Sequence, residues 1–413
     1  MTYDILVIGA GLFGLATSAH IARMRPDLKV ALVGPEDHRP DRGVFSSHRD
    51  MGRVVRTVGL DACWTRLNVD AQNGFVALEQ ETGRSIVSRN GTILVSTQAE
   101  EKDHYFGSVG SLIDVFSLHG TSMVVRDEAT TTRLIERVSP YNAKGLGGKR
   151  AIFETGHAGY LSIPQLKAAQ LQRFLVKNRG VEVRHYIDDI VTNVRRMHKS
   201  ESYKVSVASG TALQSKVVVV CAGAFANLPG LLPRAVDIKL KTETVILAHI
   251  GQEEASRLLK IPSLLWEDEP SHGDYEGPYL VPPMDYGGSD GWCIKLGANL
   301  RHDVFPTHYE QVKEWFTAAD TSEQEAVLVH VFQRLLPQVR VNRFSSKKCL
   351  LCRTATGKPY VDVVDDLGLF VCVGGNGYGA MCSDAIGKLT ASMCLNGAAP
   401  QDLRASWLTP SKL

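Results

Sequence analysis

Three glycines near the start of the chain have the spacing of a turn that holds a phosphate group. Gly9, Gly11 and Gly14 follow the apolar run 3–8 and precede residues with helical spacing. Glycines in such a turn let the backbone approach a pyrophosphate closely, and the start of the following helix supplies positive potential. The pattern therefore predicts a dinucleotide-binding turn between a strand and a helix.

The carboxylate that normally binds the ribose of such a dinucleotide is missing from its usual place. The second strand of the unit is predicted at residues 30–33, and an Asp or Glu is expected at its end. Gly34 stands there instead, followed by Pro35 and Glu36. We expect Glu36, or backbone groups, to take over this contact. A nucleotide fold that has lost its ligand is the alternative.

A polar stretch beginning at residue 46 carries side chains suited to binding an anion. It contains Ser47, His48, Arg53 and Arg56. A guanidinium group binds a carboxylate through two parallel hydrogen bonds and keeps its charge at any working pH. The stretch could therefore bind a carboxylate or another electron-rich group. A solvated run of charges is the alternative.

A single lysine lies inside an apolar segment. Lys295 stands between Ile294 and Leu296, and a buried ammonium group is costly unless it has a partner or a task. We predict an electrostatic role for Lys295 in a reaction that develops negative charge. An ordinary lysine on an edge strand is the alternative.

Cys349 and Cys352 have the spacing of a metal-binding pair, but no second pair accompanies them. No metal site is therefore predicted. A thiolate at Cys349 could add to an electrophile, helped by Lys347 or Lys348 lowering its pKa. A small buried apolar residue is the alternative.

The elements that must position these residues recur at both ends of the chain. An apolar strand at 217–221 ends in small residues, and a strand at 370–373 runs into a glycine-rich turn before a helix at 383–395. Parallel strands buried on both faces have such continuous apolar runs. The residues predicted to approach the cofactor in these turns are Ala222, Gly223, Gly375, Gly377 and Gly379.

These pieces predict a nucleotide-binding domain assembled from separated segments. Residues 1–60, 155–235 and 341–413 are assigned to it. Residues 61–154 and 236–340, with more strand alternation and aromatic side chains, are predicted to form a substrate domain.

The arrangement resembles the glutathione-reductase-like FAD enzymes and, more closely, the D-amino-acid-oxidase superfamily in the branch of monomeric sarcosine oxidase and pipecolate oxidase. The matching motifs span nearly the whole chain. Besides the glycine turn, residues 46–56 resemble SSHGDTRIIR, residues 291–297 are similar to GCGLKLG, and residues 349–362 resemble the segment that begins CMYTNTPD. The resemblance implies an α/β chain with a discontinuous FAD-binding Rossmann domain and an α+β second domain whose mixed sheet binds substrate.

The resemblance also implies roles for individual residues. His48, Arg53 and Lys295 would be catalytic, with Lys295 beside the flavin promoting the reaction with oxygen. Cys349 holds the position of the cysteine that forms a thioether to the flavin 8α carbon, and Cys352 is its competitor. The implied FAD contacts are Gly9, Gly11, Gly14, Glu36, Ser47, Arg53, Ala222, Gly223, Cys349, Gly375, Gly377 and Gly379.

Three residues are implied at the substrate: Arg56, Tyr378 and Met381. In the amino-acid oxidases of this group, a lysine near the position of Met381 helps to hold the substrate carboxylate. Its replacement by methionine makes the pocket more apolar. Sarcosine is therefore not the expected substrate, and a larger amine or amino acid is favoured.

The expected function is oxidation of a C–N bond in a secondary amine or amino acid, giving an imine and hydrogen peroxide. A flavin dehydrogenase that passes electrons to another acceptor is one alternative. A flavin-binding redox protein without turnover is the other. A nicotinamide dehydrogenase is disfavoured, because it would not need the chain to return to the cofactor domain at its C-terminal end.

Composition limits the partners and the compartment. The formal net charge of +2 over 413 residues predicts neither nucleic acid nor an anionic membrane as a partner. No apolar run approaches the ~20 residues of a membrane span, and no signal peptide is expected before the first strand. The final Ser411-Lys412-Leu413 matches the peroxisomal import signal, so we expect the import receptor as a partner. A monomer is expected.

Overall fold

The computed structural model describes residues 2–98, 104–176, 184–197, 200–267 and 273–397. Within these ranges, most strands belong to two eight-stranded sheets, and a third sheet has three strands. No helix in the described ranges is long and apolar enough to cross a bilayer.

The strands, in chain order, are β1 (Thr2–Ile8), β2 (Val30–Val33), β3 (Gly52–Val55), β4 (Val87–Ser88), β5 (Thr92–Ser96), β6 (Ser122–Val125), β7 (Arg150–Glu154), β8 (Gly159–Ser162), β9 (Arg184–Ile187), β10 (Val191–Met197), β11 (Ser202–Val207), β12 (Ala212–Val220), β13 (Ile238–Ile250), β14 (Ser263–Glu267), β15 (Tyr275–Asp285), β16 (Trp292–Leu300), β17 (Val341–Thr354), β18 (Tyr360–Val363) and β19 (Leu369–Val373). The helices are α1 (Leu12–Met24), α2 (Ala62–Thr82), α3 (His104–Val115), α4 (Glu128–Glu136), α5 (Ile163–Leu175), α6 (Gln252–Leu258), α7 (Tyr309–Thr317), α8 (Ser322–Leu335) and α9 (Ser383–Asn396).

The first large sheet has the strand order β10-β11-β12-β1-β2-β9, with β19 also paired to β12 and β18 paired to β19. β1 lies parallel to both β2 and β12, and β12 lies parallel to β19. Their apolar runs are buried because the sheet is covered on both faces. The ends of β1, β12 and β19 consequently meet at one edge of the sheet.

Helices α1, α5 and α9 pack together over one face of this sheet. Gly387 of α9 permits a close approach to α1, because a Cβ at Gly387 would overlap Ala16. The glycine turn between β1 and α1 is therefore held from the side by the C-terminal helix, as the prediction of a returning chain requires.

The second large sheet is mixed and has the order β17-β13-β16-β15-β14-β5-β7-β6. Only the β14–β5 pair in this order is parallel. β13 lies between β16 and β17 and pairs with β17 over its full length. Lys295 on β16 and Cys349 on β17 are thus placed on strands that flank β13.

The architecture confirms the predicted α/β fold with a discontinuous dinucleotide-binding sheet and a mixed second sheet. Helix α5 begins at Ile163, and Pro164 fits its first turn because proline is tolerated there. The tripeptide 411–413, predicted to be an import signal, lies outside the described residues.

The predicted division into domains stays a prediction, and two segments bear on it. β17, assigned to the cofactor domain by the boundary at residue 341, pairs with β13 in the second large sheet. α2, assigned to the substrate domain, packs against α5 and α9 over the first sheet. Trp64 and Phe75 of α2 are buried in that core.

Candidate active site

A cavity of about 480 Å³ is lined by residues of both large sheets. This volume lies within the usual range for a small-molecule site. The glycine turns at the ends of β1, β12 and β19 contribute to its wall, and so do side chains from β13, β16 and β17. A ligand in this cavity would therefore contact both the predicted cofactor turn and the sheet that is predicted to bind substrate.

The turn after β1 is built for close backbone approach. Gly9 has φ +107°, and a Cβ there would lie 2.5 Å from the carbonyl oxygen of Cys221. A Cβ at Gly14 would overlap the carbonyl oxygen of Gly9. Helix α1 begins after Gly11 with no side-chain cap and no acidic residue in its first turn. Its first N–H groups are thus left for an anion, which fits a pyrophosphate.

The structure gives a physical reason for the glycine at the end of β2. A Cβ at Gly34 would overlap the backbone nitrogen of Ala10 in the glycine turn, so no side chain fits at this position. Glu36, the predicted substitute, is exposed and does not line the cavity. Its backbone N–H donates to Asp188, and its carbonyl oxygen accepts from Lys167 at 3.2 Å. Its contact with the ribose stays a prediction.

Asn376 links the turn after β19 to the second sheet. It has φ +51°, its N–H donates to the Cys352 carbonyl at 3.0 Å, and its Oδ1 accepts from the Thr354 N–H at 2.9 Å. Gly375, Gly377 and Gly379 of the same turn all line the cavity, together with Ala222 and Gly223 from the end of β12. The open turns and the uncapped helix fit a bound FAD.

An ion-paired triad of Asp50, Arg53 and Lys295 lies in the cavity wall. Lys295 Nζ and Arg53 Nη1 both donate to Asp50 Oδ2, and Lys295 Nζ also donates to the Gly52 carbonyl at 3.0 Å. The phenol of Tyr286 donates to Asp50 Oδ1 at 3.1 Å. Lys295 is only 1% exposed, and its ammonium lies 5.3 Å from the ring centre of Tyr279. The predicted alternative for Lys295, an ordinary lysine on an edge strand, is wrong, because β16 is an interior strand.

The charges of this triad stabilise one another. Burial alone would raise the pKa of Asp50, but Lys295 and Arg53 hold it at about 2. Burial and the charge of Arg53 lower the pKa of Lys295, and Asp50 opposes this effect. Burial alone would lower the pKa of the Arg53 guanidinium group, yet Asp50 raises it above its ordinary value. The triad carries one positive charge in excess.

His48 and Ser47 lie on the cofactor side. A Cβ at Gly11 would be 3.5 Å from His48 Nδ1, so the imidazole stands beside the glycine turn. Burial lowers the pKa of His48 to about 3, which keeps the ring neutral at ordinary pH. Ser47 Oγ donates to the Leu350 carbonyl at 2.7 Å, and the Ser47 carbonyl accepts from Arg53 at 2.8 Å. The catalytic role of His48 stays a prediction.

Arg56, Tyr378 and Met381 meet in the cavity wall, as predicted for a substrate site. Arg56 is 5% exposed, and its guanidinium lies 5.8 Å from the ring centre of Tyr378. Trp64 packs edge-on against the same ring, and Met381 is buried beside it. This wall offers one cation within an aromatic and apolar surface, a combination that suits an organic carboxylate.

The two candidate cysteines occupy different surroundings. Cys349 shares its electrostatic environment with Arg53 and Lys295, whereas the Cys352 thiol lies 3.7 Å from the Gly223 carbonyl. The prediction that Lys347 or Lys348 lowers the pKa of Cys349 was wrong. Burial raises the pKa of this thiol, and Arg53 and Lys295 are the cations that oppose the rise. Lys348 instead donates to the Ala319 carbonyl at 2.8 Å.

The cavity brings together nearly all of the predicted site residues. Gly14 lies behind the turn, and Glu36 lies outside the cavity. Asp50, Glu243 and Tyr279 line the cavity without having been predicted. Asp50 sits inside the polar stretch between two arginines, which was a usable signal. No three His, Cys, Asp or Glu side chains in the described part of the chain converge in a way that would hold a metal ion.

Comparisons with known proteins agree with this geometry. The model of a family described as FAD dependent oxidoreductase (DAO) matches residues 4–393. Among curated protein sequences, none matches the chain significantly.

Three solved structures similar to this chain represent different activities. A Tyr258Phe mutant of NikD, an unusual amino acid oxidase essential for nikkomycin biosynthesis, has a TM-score of 0.75 and 16% identity, covering 99% of this chain and 97% of that chain. L-proline dehydrogenase from P. horikoshii has a TM-score of 0.72 and 15% identity, with coverages of 99% and 97%. Glycine oxidase from Geobacillus kaustophilus has a TM-score of 0.71 and 17% identity, with coverages of 100% and 99%. At these identities the similarity shows a shared fold.

Proposed function

The chain belongs to the DAO family of FAD-dependent oxidoreductases, and we propose that it oxidises a C–N bond of a secondary amine or amino acid, producing an imine and hydrogen peroxide. The observation that carries this proposal is the single cavity lined by the glycine turns, the Lys295 triad and Arg56. It supports the proposal because the glycine turns, the buried Lys295 ammonium and the Arg56 guanidinium surround one volume.

FAD bound in this cradle would supply the two-electron acceptor for the substrate and would pass the electrons on to oxygen. The work of the protein is then orientation and electrostatics. Arg56 holds the carboxylate of an amino-acid substrate, while the ring of Tyr378 and the thioether of Met381 pack against its side chain. The apolar wall excludes water from the reacting carbon.

Lys295 supports the use of oxygen as the electron acceptor. Its ammonium is fixed by Asp50 and the Gly52 carbonyl, so it needs no reorganisation when negative charge develops on oxygen. The same ion pair favours a second candidate function, a dehydrogenase, because Asp50 offsets part of the positive charge. L-proline dehydrogenase from P. horikoshii shares this fold.

Two further assignments belong to the proposal. We propose a thioether between Cys349 and the 8α carbon of FAD, supported by the place of Cys349 in the cavity wall. We also propose a peroxisomal location, supported by Ser411-Lys412-Leu413 at the end of the sequence.

The function is tested by screening amines and both enantiomers of amino acids for oxygen consumption and peroxide release. The oxidase predicts stoichiometric peroxide with at least one substrate. Substrate-dependent reduction of a dye without oxygen uptake would establish the dehydrogenase instead. A purified flavoprotein that no amine reduces under anaerobic conditions would overturn both, leaving a non-catalytic redox protein.

The location is tested by attaching a fluorescent protein to the N-terminus and imaging it in eukaryotic cells with a peroxisomal marker. Coincidence with the marker that is lost when residues 411–413 are deleted supports import. An unchanged distribution after the deletion contradicts it.

A further inference from the structure

Glu243 lies beside Cys349, the candidate attachment cysteine, on the neighbouring strand of the second sheet. In the antiparallel pair of β13 and β17, Glu243 stands directly opposite Cys349. Side chains at directly opposite positions point to the same face, with Cβ atoms about 5 Å apart. Both residues line the cavity. The carboxylate and the thiol are therefore neighbours on the cavity wall.

The Glu243 carboxylate has no hydrogen-bond or ion-pair partner among the described residues. The cations near it are engaged elsewhere: Lys241 pairs with Asp303 at 2.6 Å and donates to Asn299 at 2.9 Å, while Lys295 pairs with Asp50. A carboxylate on a cavity wall without a partner costs stability. A carboxylate in this position is available to accept a proton from a neighbouring donor.

We propose that Glu243 is the proton acceptor for the Cys349 thiol when the thioether to FAD forms. The inference rests on the covalent attachment proposed above. Glu243 touches neither the substrate amine nor the site of C–N oxidation in this assignment. It prepares the cofactor site and does not take part in each turnover.

The step balances with oxygen as the oxidant. The S–H bond of Cys349 and one C–H bond of the flavin 8α methyl group break, and an S–C bond forms. The thiol proton goes to the Glu243 carboxylate. The 8α C–H proton goes to solvent, and the two electrons released pass through the flavin to oxygen. Oxygen takes up two protons, one from protonated Glu243 and one from solvent, and leaves as hydrogen peroxide.

The surroundings favour this proton transfer. A thiol must lose its proton to become the nucleophile, yet burial raises the pKa of Cys349 and keeps the thiol protonated. Burial also raises the pKa of Glu243, which makes its carboxylate a stronger base than an exposed one. The thiolate that results lies near Arg53 and Lys295, whose charges oppose the rise in the thiol pKa.

The test follows attachment itself and not turnover. The full-length chain is made in riboflavin-starved cells, FAD is added to the purified protein, and samples are denatured at intervals. Intact mass and protein-bound flavin fluorescence report the fraction attached. The same fraction is measured in protein from riboflavin-replete cells. Total flavin bound before denaturation is measured in parallel.

We expect parent protein to attach FAD and the Cys349→Ser variant to attach none. Glu243→Gln should bind FAD normally but attach it about 100-fold more slowly, the contribution expected of a general base. Glu276→Gln removes an exposed carboxylate from the same sheet and should attach FAD at the parent rate. Cys352→Ser should do the same.

A second variant guards against loss of structure. In Glu243→Ala, added formate can replace the missing carboxylate. We expect formate to raise the attachment rate of this variant at least tenfold over its rate without formate. Attachment in Glu243→Gln at the parent rate overturns the role of Glu243 while the thioether stands. Absence of attachment in parent protein overturns both, whatever the outcome of the peroxide screen.

Discussion

Lys295 donates a hydrogen bond to Asp50 across 245 positions of the chain. Asp50 lies in the polar segment before β3, and Lys295 lies in the middle of β16. The pair thus joins the segment before β3 to the second large sheet. Because Arg53 binds the same carboxylate oxygen, a change at any of the three alters the charge seen by the other two.

The first prediction concerns the reaction with oxygen. Lys295→Met removes a preorganised charge and should slow the reaction of the substrate-reduced enzyme with oxygen by about 100-fold. Anaerobic reduction by substrate should change by less than about threefold. Stopped-flow absorbance of the two half-reactions measures both rates.

Lys239→Met is the matched control, because Lys239 is exposed on β13 and does not line the cavity. It should leave both half-reactions unchanged. Reoxidation of Lys295→Met at the parent rate would remove Lys295 from the oxygen reaction.

The second prediction concerns stability and pH. Burial raises the pKa of Asp50, but Lys295 and Arg53 outweigh it and hold the value at about 2, below the ordinary ~4 of an aspartate. A group with a lowered pKa in the folded state stabilises the fold above its unfolded pKa, and this stabilisation is lost as the pH falls through the folded value. The stability advantage of parent over Asp50→Asn should therefore be constant above about pH 4 and shrink by about 2 kcal/mol toward pH 2.

Urea unfolding at several pH values measures this difference. Asp41→Asn, which changes an exposed carboxylate outside the cavity, should show no comparable pH-dependent difference from parent. If the stability advantage of parent protein over Asp50→Asn stays constant down to pH 2, Lys295 and Arg53 do not lower the pKa of Asp50.

The third prediction concerns the end of β2. Gly34→Ala forces a Cβ into the backbone of the glycine turn, which should lower the free energy of unfolding by about 1 to 3 kcal/mol and weaken FAD binding. Gly251→Ala is the control, since a Cβ at Gly251 meets nothing within 4 Å. Flavin titration and urea unfolding report the two effects. Normal FAD affinity in Gly34→Ala would contradict the role of the close approach.

The fourth prediction concerns substrate charge. Arg56→Gln should raise KM for a carboxylate-bearing substrate by about 100-fold, the cost of losing a buried charged hydrogen-bonding partner. The KM for an amine of the same skeleton without the carboxylate should change by less than about threefold. Steady-state kinetics on such a pair, with exposed Arg42→Gln as control, separates the cases. Equal effects on both compounds would mean that Arg56 supports the fold and not the carboxylate.

The cofactor half of the site could be predicted because its signals are local in sequence. The spacing of Gly9, Gly11 and Gly14 depends on one turn, and the apolar run before Ala222 depends on one buried strand. Gly34 shows the limit of such reasoning. The missing carboxylate was visible, but its cause, the approach of Ala10, depends on how two strand ends meet.

The other residues of the site are brought together by strand pairing and tertiary contacts that no local sequence pattern contains. Glu243 shares a face of β13 with Lys241, and charged residues at every second position are equally typical of a half-exposed strand. Its position opposite Cys349 follows from the register of two strands about 100 residues apart in sequence. Asp50 lay within the predicted polar stretch, but its partner Lys295 lies on β16, 245 positions further along the chain.

The bonds of Asn376 limit how this molecule can open. They tie the turn after β19 to the end of β17, and thus the cofactor edge of one sheet to a strand of the other. A hinge motion that separated the two sheets would have to break these bonds and strip the cradle of one wall. Asn376 therefore couples the integrity of the cofactor cradle to the contact between the two sheets.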